Sequence, residues 1–476
     1  MERNHNVTDT CPALANSPPS PFAITDVTAV DLQKAPHGIS TGIGFFDHML
    51  DQFNSHAQIG VSATVTKREN DGIVNGSIDV STSNTCSVAG KEGINRYANP
   101  PELQEQLMGQ VGSAFGVEFH KLLSSLPVGR QSRFCCPLDE ALVECNITLT
   151  DAEEGCLEEF TLEPYGIYPK LTGRTKIGCM VTAYVKTFFS EFAKTAKLNV
   201  TLRKIRGHNG HHVVESGFKA FSRAIRNIID GTNTSTPSAS PTSSPTASPI
   251  NGNAAHAMAM EQMWGVTSES YTQSMALQRS GVSKRETKET SINVDLQLDG
   301  SSSGISIDTG IETLNEFYRA LAEQADLSLN IKCHGDTWVD DHHTAEDVSI
   351  AIGKVLNIAL GTKAGLNRMW CGNAKVGDAH VEVTMDLSNR PCFNHGLSLD
   401  GVEYIGDLSM EMLQHILESL VMNGQMTVHI DERSKGTAMD LVLATAKSFG
   451  KALKFCSAVD PRRAGKIASS KGTLSA

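Results

Sequence analysis

The sequence predicts an α+β protein made of two similar blocks, each with helices laid on one face of its sheets. Three observations predict it. Alternating polar and apolar runs at 199–205, 291–298 and 380–387 have the period of strands, and they interleave with amphipathic stretches of helical period at 213–229, 345–360 and 410–422. A Ser/Thr/Pro/Ala-rich run from Asp230 to Asn253 divides the 476 residues into near-equal parts. Short matches then relate the parts. Thr41-Gly42-Ile43 pairs with Thr309-Gly310-Ile311, Gly93-Ile94-Asn95-Arg96-Tyr97 with Gly365-Leu366-Asn367-Arg368-Met369, and Lys219 to Ile225 with Lys447 to Leu453, as an internal duplication would leave them.

In chain order, residues 1–21 read as a polar tail, with neither the apolar run of a signal peptide nor the Arg-rich, acid-poor character of a transit peptide. Residues 22–230 form the first block. Residues 231–283 form a flexible linker, because their composition cannot bury a core and periodicity stays poor to Ser283. Residues 284–476 form the second block. A net charge of -12 argues against a nucleic-acid or polybasic membrane role. No apolar run approaches the roughly 18 residues of a membrane span. Eleven cysteines, odd in number and without a C-x-x-C, read as reduced thiols. A cytoplasmic location is expected, with a plastid one left open.

Chemistry enters with a repeated pentapeptide, H-H-x-x-E, as His211-His212-Val213-Val214-Glu215 and His342-His343-Thr344-Ala345-Glu346. Residues i and i+4 share a helix face, so His211 with Glu215, and His342 with Glu346, can chelate one metal each. The second histidine of each pair is turned about 100° away and can reach a different ion. Two such helices, each lending its odd histidine to the other's metal, would build a two-metal site.

Longer motifs resemble the imidazoleglycerol-phosphate dehydratase family: TGIGFFDHMLDQFNSH (41–56), HNGHHVVESGFKAFSRAI (208–225), GDTWVDDHHTAEDVSIAIGKVLNIALGTKAGLNRMW (335–370), MDLSNRP (385–391) and SSKGTL (469–474). The resemblance covers both blocks and implies two tandem copies of that fold, each of two βαβ-type half-repeats. It implies dehydration of imidazole glycerol phosphate in histidine biosynthesis by a manganese enzyme with two ions per site. It also implies sites between subunits and a shell of twenty-four domains, here twelve chains. Neither copy is complete. The first keeps His48, His211, His212 and Glu215, but has IDVSTSNTCSVAG (78–90) where the other HHxxE helix is expected. The second keeps that helix but reads LNEFY (314–318) for FDHML, and Met439, Asp440 and Leu443 where the second His pair and Glu belong. A further family histidine is Thr187 in copy one and His415 in copy two.

The two copies together therefore hold one full ligand set. The resemblance assigns His48, His211, Glu215 and His343 to one metal and His342, Glu346, His415 and His212 to the other. Three imidazoles and a carboxylate leave an octahedral ion two open positions; manganese suits them, and iron, cobalt or zinc could bind the same set. Glu289 is the expected base, with His48 and His343 as further catalytic residues. Glu289, His56, Lys219, Arg368, Arg390, Ser469, Ser470 and Lys471 are expected to bind the phosphorylated small-molecule substrate, the arginines as bidentate forks. Arg96, Asp139 and Glu140 receive no role. A catalytically dead structural or regulatory partner of a dehydratase shell is the alternative reading, and a dinuclear metallohydrolase a third.

Overall fold

The computed structural model of the chain describes residues 22–31, 38–69, 72–73, 101–231, 279–300, 304–463 and 465–474. The tail at 1–21, most of the linker, the segment 78–90 and Arg96 lie outside the described residues.

One topology recurs four times. The first repeat holds β1 (Phe22–Asp31), β2 (Ile39–Ser40), α1 (Gly44–Gln52), β3 (Ile59–Glu69), β4 (Gly72–Ile73) and α2 (Pro101–Leu123). The second holds β5 (Gln131–Leu138), β6 (Ala141–Leu149), β7 (Cys156–Thr161), β8 (Lys176–Ile177), β9 (Met180–Val181), α3 (Tyr184–Ala196), β10 (Leu198–Arg206) and α4 (Gly210–Asp230). The third holds β11 (Ser280–Glu286), β12 (Thr290–Gln297), β13 (Ile305–Asp308), α5 (Glu312–Ala325), β14 (Ser328–Gly335) and α6 (His342–Leu360). The fourth holds β15 (Met369–Val376), β16 (Ala379–Asp386), β17 (Cys392–Gly396), β18 (Tyr404–Ile405), β19 (Leu408–Ser409), α7 (Met410–Gly424), β20 (Thr427–Ser434) and α8 (Ala438–Ser457).

The last three repeats form sheets in the orders β5-β6-β10-β7, β11-β12-β14-β13 and β15-β16-β20-β17. In each, three strands run antiparallel and the fourth pairs in parallel through a helical crossover. The first sheet, β1-β3-β2, shows the inner part of the same pattern. The chain is thus an α+β protein of two similar halves, each of two half-repeats.

Local sequence explains the elements. Thr290-Ser291-Ile292-Asn293-Val294-Asp295-Leu296-Gln297 alternates buried and less buried along β12, the period of a strand with one face on a core. Both HHxxE helices start by one device. The Asn209 side chain accepts from the His211 amide at 3.0 Å, and Asp340 from the His342 amide at 3.0 Å. Gly231, at φ +74, ends α4 in the left-handed conformation that a helix C-terminus favours.

Element order corrects two alignments. The helix corresponding to α6 is α2, at 101–123, and not the stretch 78–90. Gly116 in α2 and Gly353 in α6 occupy equivalent places. A Cβ would lie 2.5 Å from the Phe192 carbonyl oxygen at Gly116 and 2.7 Å from that of Leu420 at Gly353. That equivalence puts Glu105, Gln106 and Gly109 where His342, His343 and Glu346 stand. The Gly93 to Tyr97 match also fails, because it precedes α2 whereas Gly365 to Met369 follows α6. Arg130 is the true counterpart of Arg368. Its carbonyl accepts from the Leu149 amide at 2.9 Å, as that of Arg368 does from Leu387 at 3.1 Å.

Each half has its own core. That of the first half is rich in phenylalanine, with Phe53, Phe115, Phe192 and Phe221 fully buried, each worth roughly 1.5–3 kcal/mol in area removed from water. Polar contacts close the seam between halves. Arg133 forks onto Glu382 at 2.8 and 2.9 Å, Arg223 holds Asn367 through its side chain and carbonyl at 2.7 Å each, and Arg206 pairs with Asp431. Arg463 donates to the Ser55 carbonyl at 2.8 Å.

Candidate functional site

Six of the expected ligands gather into two triads, one per half. In the first half, α1 brings His48 over the start of α4. His48 Nε2 is 3.7 Å and His211 Nε2 3.1 Å from the two oxygens of Glu215. In the second half, His342 and His415 each place Nε2 3.6 Å from Glu346, the first along α6 and the second from α7. Within each triad the candidate ligand atoms lie within 4.8 Å of one another, a spacing one ion can close. Glu215 is 5% exposed. Burial alone would raise its pKa, but Lys219 at 2.9 Å, with His211 and His48, holds it far below the carboxylate range. It is an anion at any physiological pH, the state a metal ligand needs.

The reciprocal places do not carry the ligand set, and Glu105 and Glu316 stand there where the triads have His342 and His48. Gly109 faces the Thr187 side chain, at 3.3 Å from an added Cβ, where the other half has Glu346 facing His415. At the places of His48, His211 and Glu215 the second half has Glu316, Met439 and Leu443.

The remaining two histidines are not in either triad. His212 Nδ1 lies 2.8 Å from Glu140 Oε2, and His343 Nδ1 3.0 Å from Asp336 Oδ2. A carboxylate only accepts, so Nδ1 donates in each, the support that orients a metal-binding histidine, and His212 Nε2 lies 3.8 Å from Asp139 Oδ2. Burial of Glu140 is outweighed by its hydrogen bonds from His212 and Asn209, and its pKa is lowered. The bond to Asp336 raises that of His343. Glu289 sits exposed in the turn between β11 and β12, close enough to His343 to add to that rise.

Beneath the first triad the seam holds a cluster of cations. Lys219 and Arg223 come from α4, Arg368 and Arg463 from the second half, and each is 5% exposed or less. They surround His56, which is fully buried with neither ring nitrogen hydrogen-bonded. Burial first, then these four cations, pushes its pKa well below the usual histidine range, so it is neutral. Arg368 forks onto Asp386 at 2.6 and 2.8 Å, and its third nitrogen donates to the Ala468 carbonyl at 2.5 Å, pinning the segment that carries Ser469, Ser470 and Lys471. Lys471 is exposed, and its amide donates to Ser469 Oγ at 3.1 Å. Lys363 is a further buried cation by Asp386 and Arg368, lowered to about 8 by burial. Arg390 is set apart, its Nε donating to Asp139 at 2.8 Å.

Asp139 and Glu140 receive no role from the sequence and Asp336 is not singled out by it, yet the fold places all three beside the histidines. Arg223 and Lys363 lie in the quoted motifs without a role and Arg463 lies outside them, because only the seam between halves gives the three a common centre.

Comparison with known proteins gives a consistent result. A family model described as imidazoleglycerol-phosphate dehydratase matches residues 104–225 and 309–453, more than half of the chain. Imidazoleglycerol-phosphate dehydratase 1, chloroplastic, of Arabidopsis thaliana is 38% identical over 208 residues, covering 44% of this chain and 76% of that protein. The imidazoleglycerol-phosphate dehydratase of Prochlorococcus marinus is 37% identical over 196 residues, 41% of this chain and 96% of that protein, so the relative spans less than half of this chain. The crystal structure of the enzyme from Staphylococcus aureus superposes with a TM-score of 0.34 at 27% identity, covering 38% of this chain and 98% of that one. Among the described residues no helix is long and apolar enough to cross a membrane.

Proposed function

The chain belongs to the imidazoleglycerol-phosphate dehydratase family, and from that premise we propose that it dehydrates imidazole glycerol phosphate to imidazole acetol phosphate at one dinuclear site assembled from both halves. The observation that carries this reading is the presence of two complete triads, one in each half, with Gly109, Thr187, Glu316, Met439 and Leu443 at the reciprocal places.

The donor set fits two manganese ions, each taking two imidazoles and a carboxylate from its triad and a third imidazole from His343 or His212. Bound there, the metals would favour the imidazolate form of the substrate's ring, which helps expel the hydroxyl on the carbon that carries the ring. Glu289 takes the proton from the next carbon, the hydroxyl leaves as water on taking up a proton, and the resulting enol becomes the ketone of imidazole acetol phosphate. Lys219, Arg368, Ser469, Ser470 and Lys471 hold the phosphate, whose charge answers the excess of buried cations, and neutral His56 offers a ring N–H. Arg390 joins them when the substrate displaces Asp139.

His212 and His343 are tethered outside both triads within one chain, which supports completion of each centre by a neighbouring chain. The first triad and the cationic seam then come from one chain and the second triad from another, with twelve chains making the expected shell of twenty-four domains. The test is metal content measured together with turnover. About two manganese ions per chain, with dehydration of imidazole glycerol phosphate, is the expected result, the count of one two-metal centre. A reproducible value near four would refute the single composite site. Two ions without turnover would point to a dead partner of a dehydratase shell.

A further inference from the structure

The seam between halves also brings together two cysteines that neither metal nor substrate uses. Cys135 lies on β5 of the first half and Cys371 on β15 of the second. The Cys371 thiol donates to the Cys135 carbonyl at 3.5 Å and lies 3.4 Å from Thr384 Oγ1, which brings the two cysteines side by side. Cys135 is 1% exposed, whereas Cys371 is only half-buried. Cys135 Sγ lies 3.7 Å from Glu144 and 3.9 Å from Glu382. The Arg133 guanidinium, bound to both of those carboxylates, completes the surroundings of the pair.

The repeat makes this pair asymmetric. Cys135 is paired across its sheet with Glu144, and the residue paired with the corresponding Glu382 is Asn373. Two residues earlier, Arg133 in β5 corresponds to Cys371 in β15. Each cysteine therefore occurs once, in a different half. Two identical copies meeting through these strands would juxtapose Cys with Cys nowhere; the unlike halves of this chain do.

We propose that Cys135 and Cys371 are a peroxide-oxidised thiol pair, forming a reversible disulfide that staples the two halves together. Cys371 is the attacking sulfur. It displaces one oxygen of hydrogen peroxide, breaking the O–O bond and becoming a sulfenic acid while the other oxygen leaves as water. Cys135 then attacks the sulfenic sulfur, the S–O bond breaks, and the second oxygen leaves as water with the Cys135 proton. Two thiols and one peroxide give one disulfide and two waters, and a dithiol reductant reverses it. The roles follow from the surroundings. The neighbouring Cys135 side chain, with Arg133 and Thr384, lowers the Cys371 pKa despite burial, while Cys371 and burial raise that of Cys135. The thiolate is the nucleophile, so the more acidic sulfur reacts first. Among the other buried thiols, burial pushes Cys136, Cys145 and Cys456 up, and Cys456, which lies near enough to Cys371 to feel its charge, donates to the Met385 carbonyl at 3.5 Å. The staple would lie three residues from Arg368, holding the seam where that arginine meets Lys219 and His56.

The test uses the full chain with a specific protease site placed between residues 240 and 250. After treatment with hydrogen peroxide, alkylation of free thiols and peptide mapping, a Cys135–Cys371 linked peptide is expected, with two thiols lost from the eleven in the chain and restored by dithiothreitol. On a non-reducing denaturing gel the cleaved, oxidised chain should run as one band and separate into halves on reduction. Cys371→Ser and, independently, Cys135→Ala should each abolish the link, while Cys156→Ser at an exposed position should not. Halves that separate after oxidation, a Cys371 recovered as sulfinate without a linked peptide, unreacted Cys135 and Cys371, or a link surviving in Cys371→Ser would each overturn the proposal.

Discussion

Single residues decide whether an imidazole is aimed or idle. His212 and His343 differ from the six triad ligands because each is held by a carboxylate at Nδ1, Glu140 at 2.8 Å and Asp336 at 3.0 Å. Glu140→Gln and Asp336→Asn should each weaken manganese binding about 10- to 100-fold, the usual cost of losing such a support, with little change in thermal stability; titration calorimetry reads the first and a melting curve the second. His429 gives a separate pH prediction. Its Nε2 donates to the Asp139 carbonyl at 2.8 Å across the seam, and Arg206 faces Nδ1 at 3.4 Å. Burial, with Arg206, pulls its pKa down to about 4. The unfolded chain, with a histidine near 6.5, takes up the proton first. Stability is therefore intact above about pH 6.5 and falls toward pH 4, by roughly 3 kcal/mol from this group alone. Urea midpoints across that range should show the loss, and His429→Gln should flatten the slope. Four triad ligands, His211 with Glu215 and His342 with Glu346, are legible in the sequence because i and i+4 on a helix fix a shared face; His48 and His415 follow only from the family resemblance. Glu140 receives no function from the sequence and Asp336 is not singled out by it, since a turn of chain, not a period, brings them to the histidines.

At the scale of elements, the triads depend on helix pairs. His342 and Glu346 ride on α6 and His415 on α7, and Gly353 lets those helices close where an added Cβ would come 2.7 Å from the Leu420 carbonyl oxygen. Gly353→Ala should destabilise the second half by about 1–3 kcal/mol through overpacking and weaken metal binding at His342, Glu346 and His415, leaving the first triad unchanged. Thermal unfolding and per-chain metal content check both parts; a variant with unaltered metal binding would show that the helix spacing is not what sets the triad. Strands and helices of regular period were readable in the sequence. The place of α2 was not. Gly93-Ile94-Asn95-Arg96 resembles Gly365-Leu366-Asn367-Arg368 over four residues, and so short a match cannot compete with the order of helix and strand, which makes Arg130 the counterpart.

For the whole molecule, the division into halves was legible from the Ser/Thr/Pro-rich run, but the seam was not. Its pairs, such as Arg133 with Glu382, join residues 249 apart, and no local pattern announces them. That seam puts the first triad and Arg368 in one chain, while His212 and His343 stay clear of both triads. Removal of manganese by a chelator should loosen the assembly if metals bridge chains, since a ligand of the assembled state alone stabilises it. The most direct measurement mixes two inactive full-length chains, His48→Ala and His415→Ala, by dissociating and reassembling them together. A site drawing its two triads from different chains should recover about a quarter of wild-type activity in an equal mixture, the fraction of neighbours that pair the two intact triads. Properly reassembled mixtures that stay inactive would contradict the account.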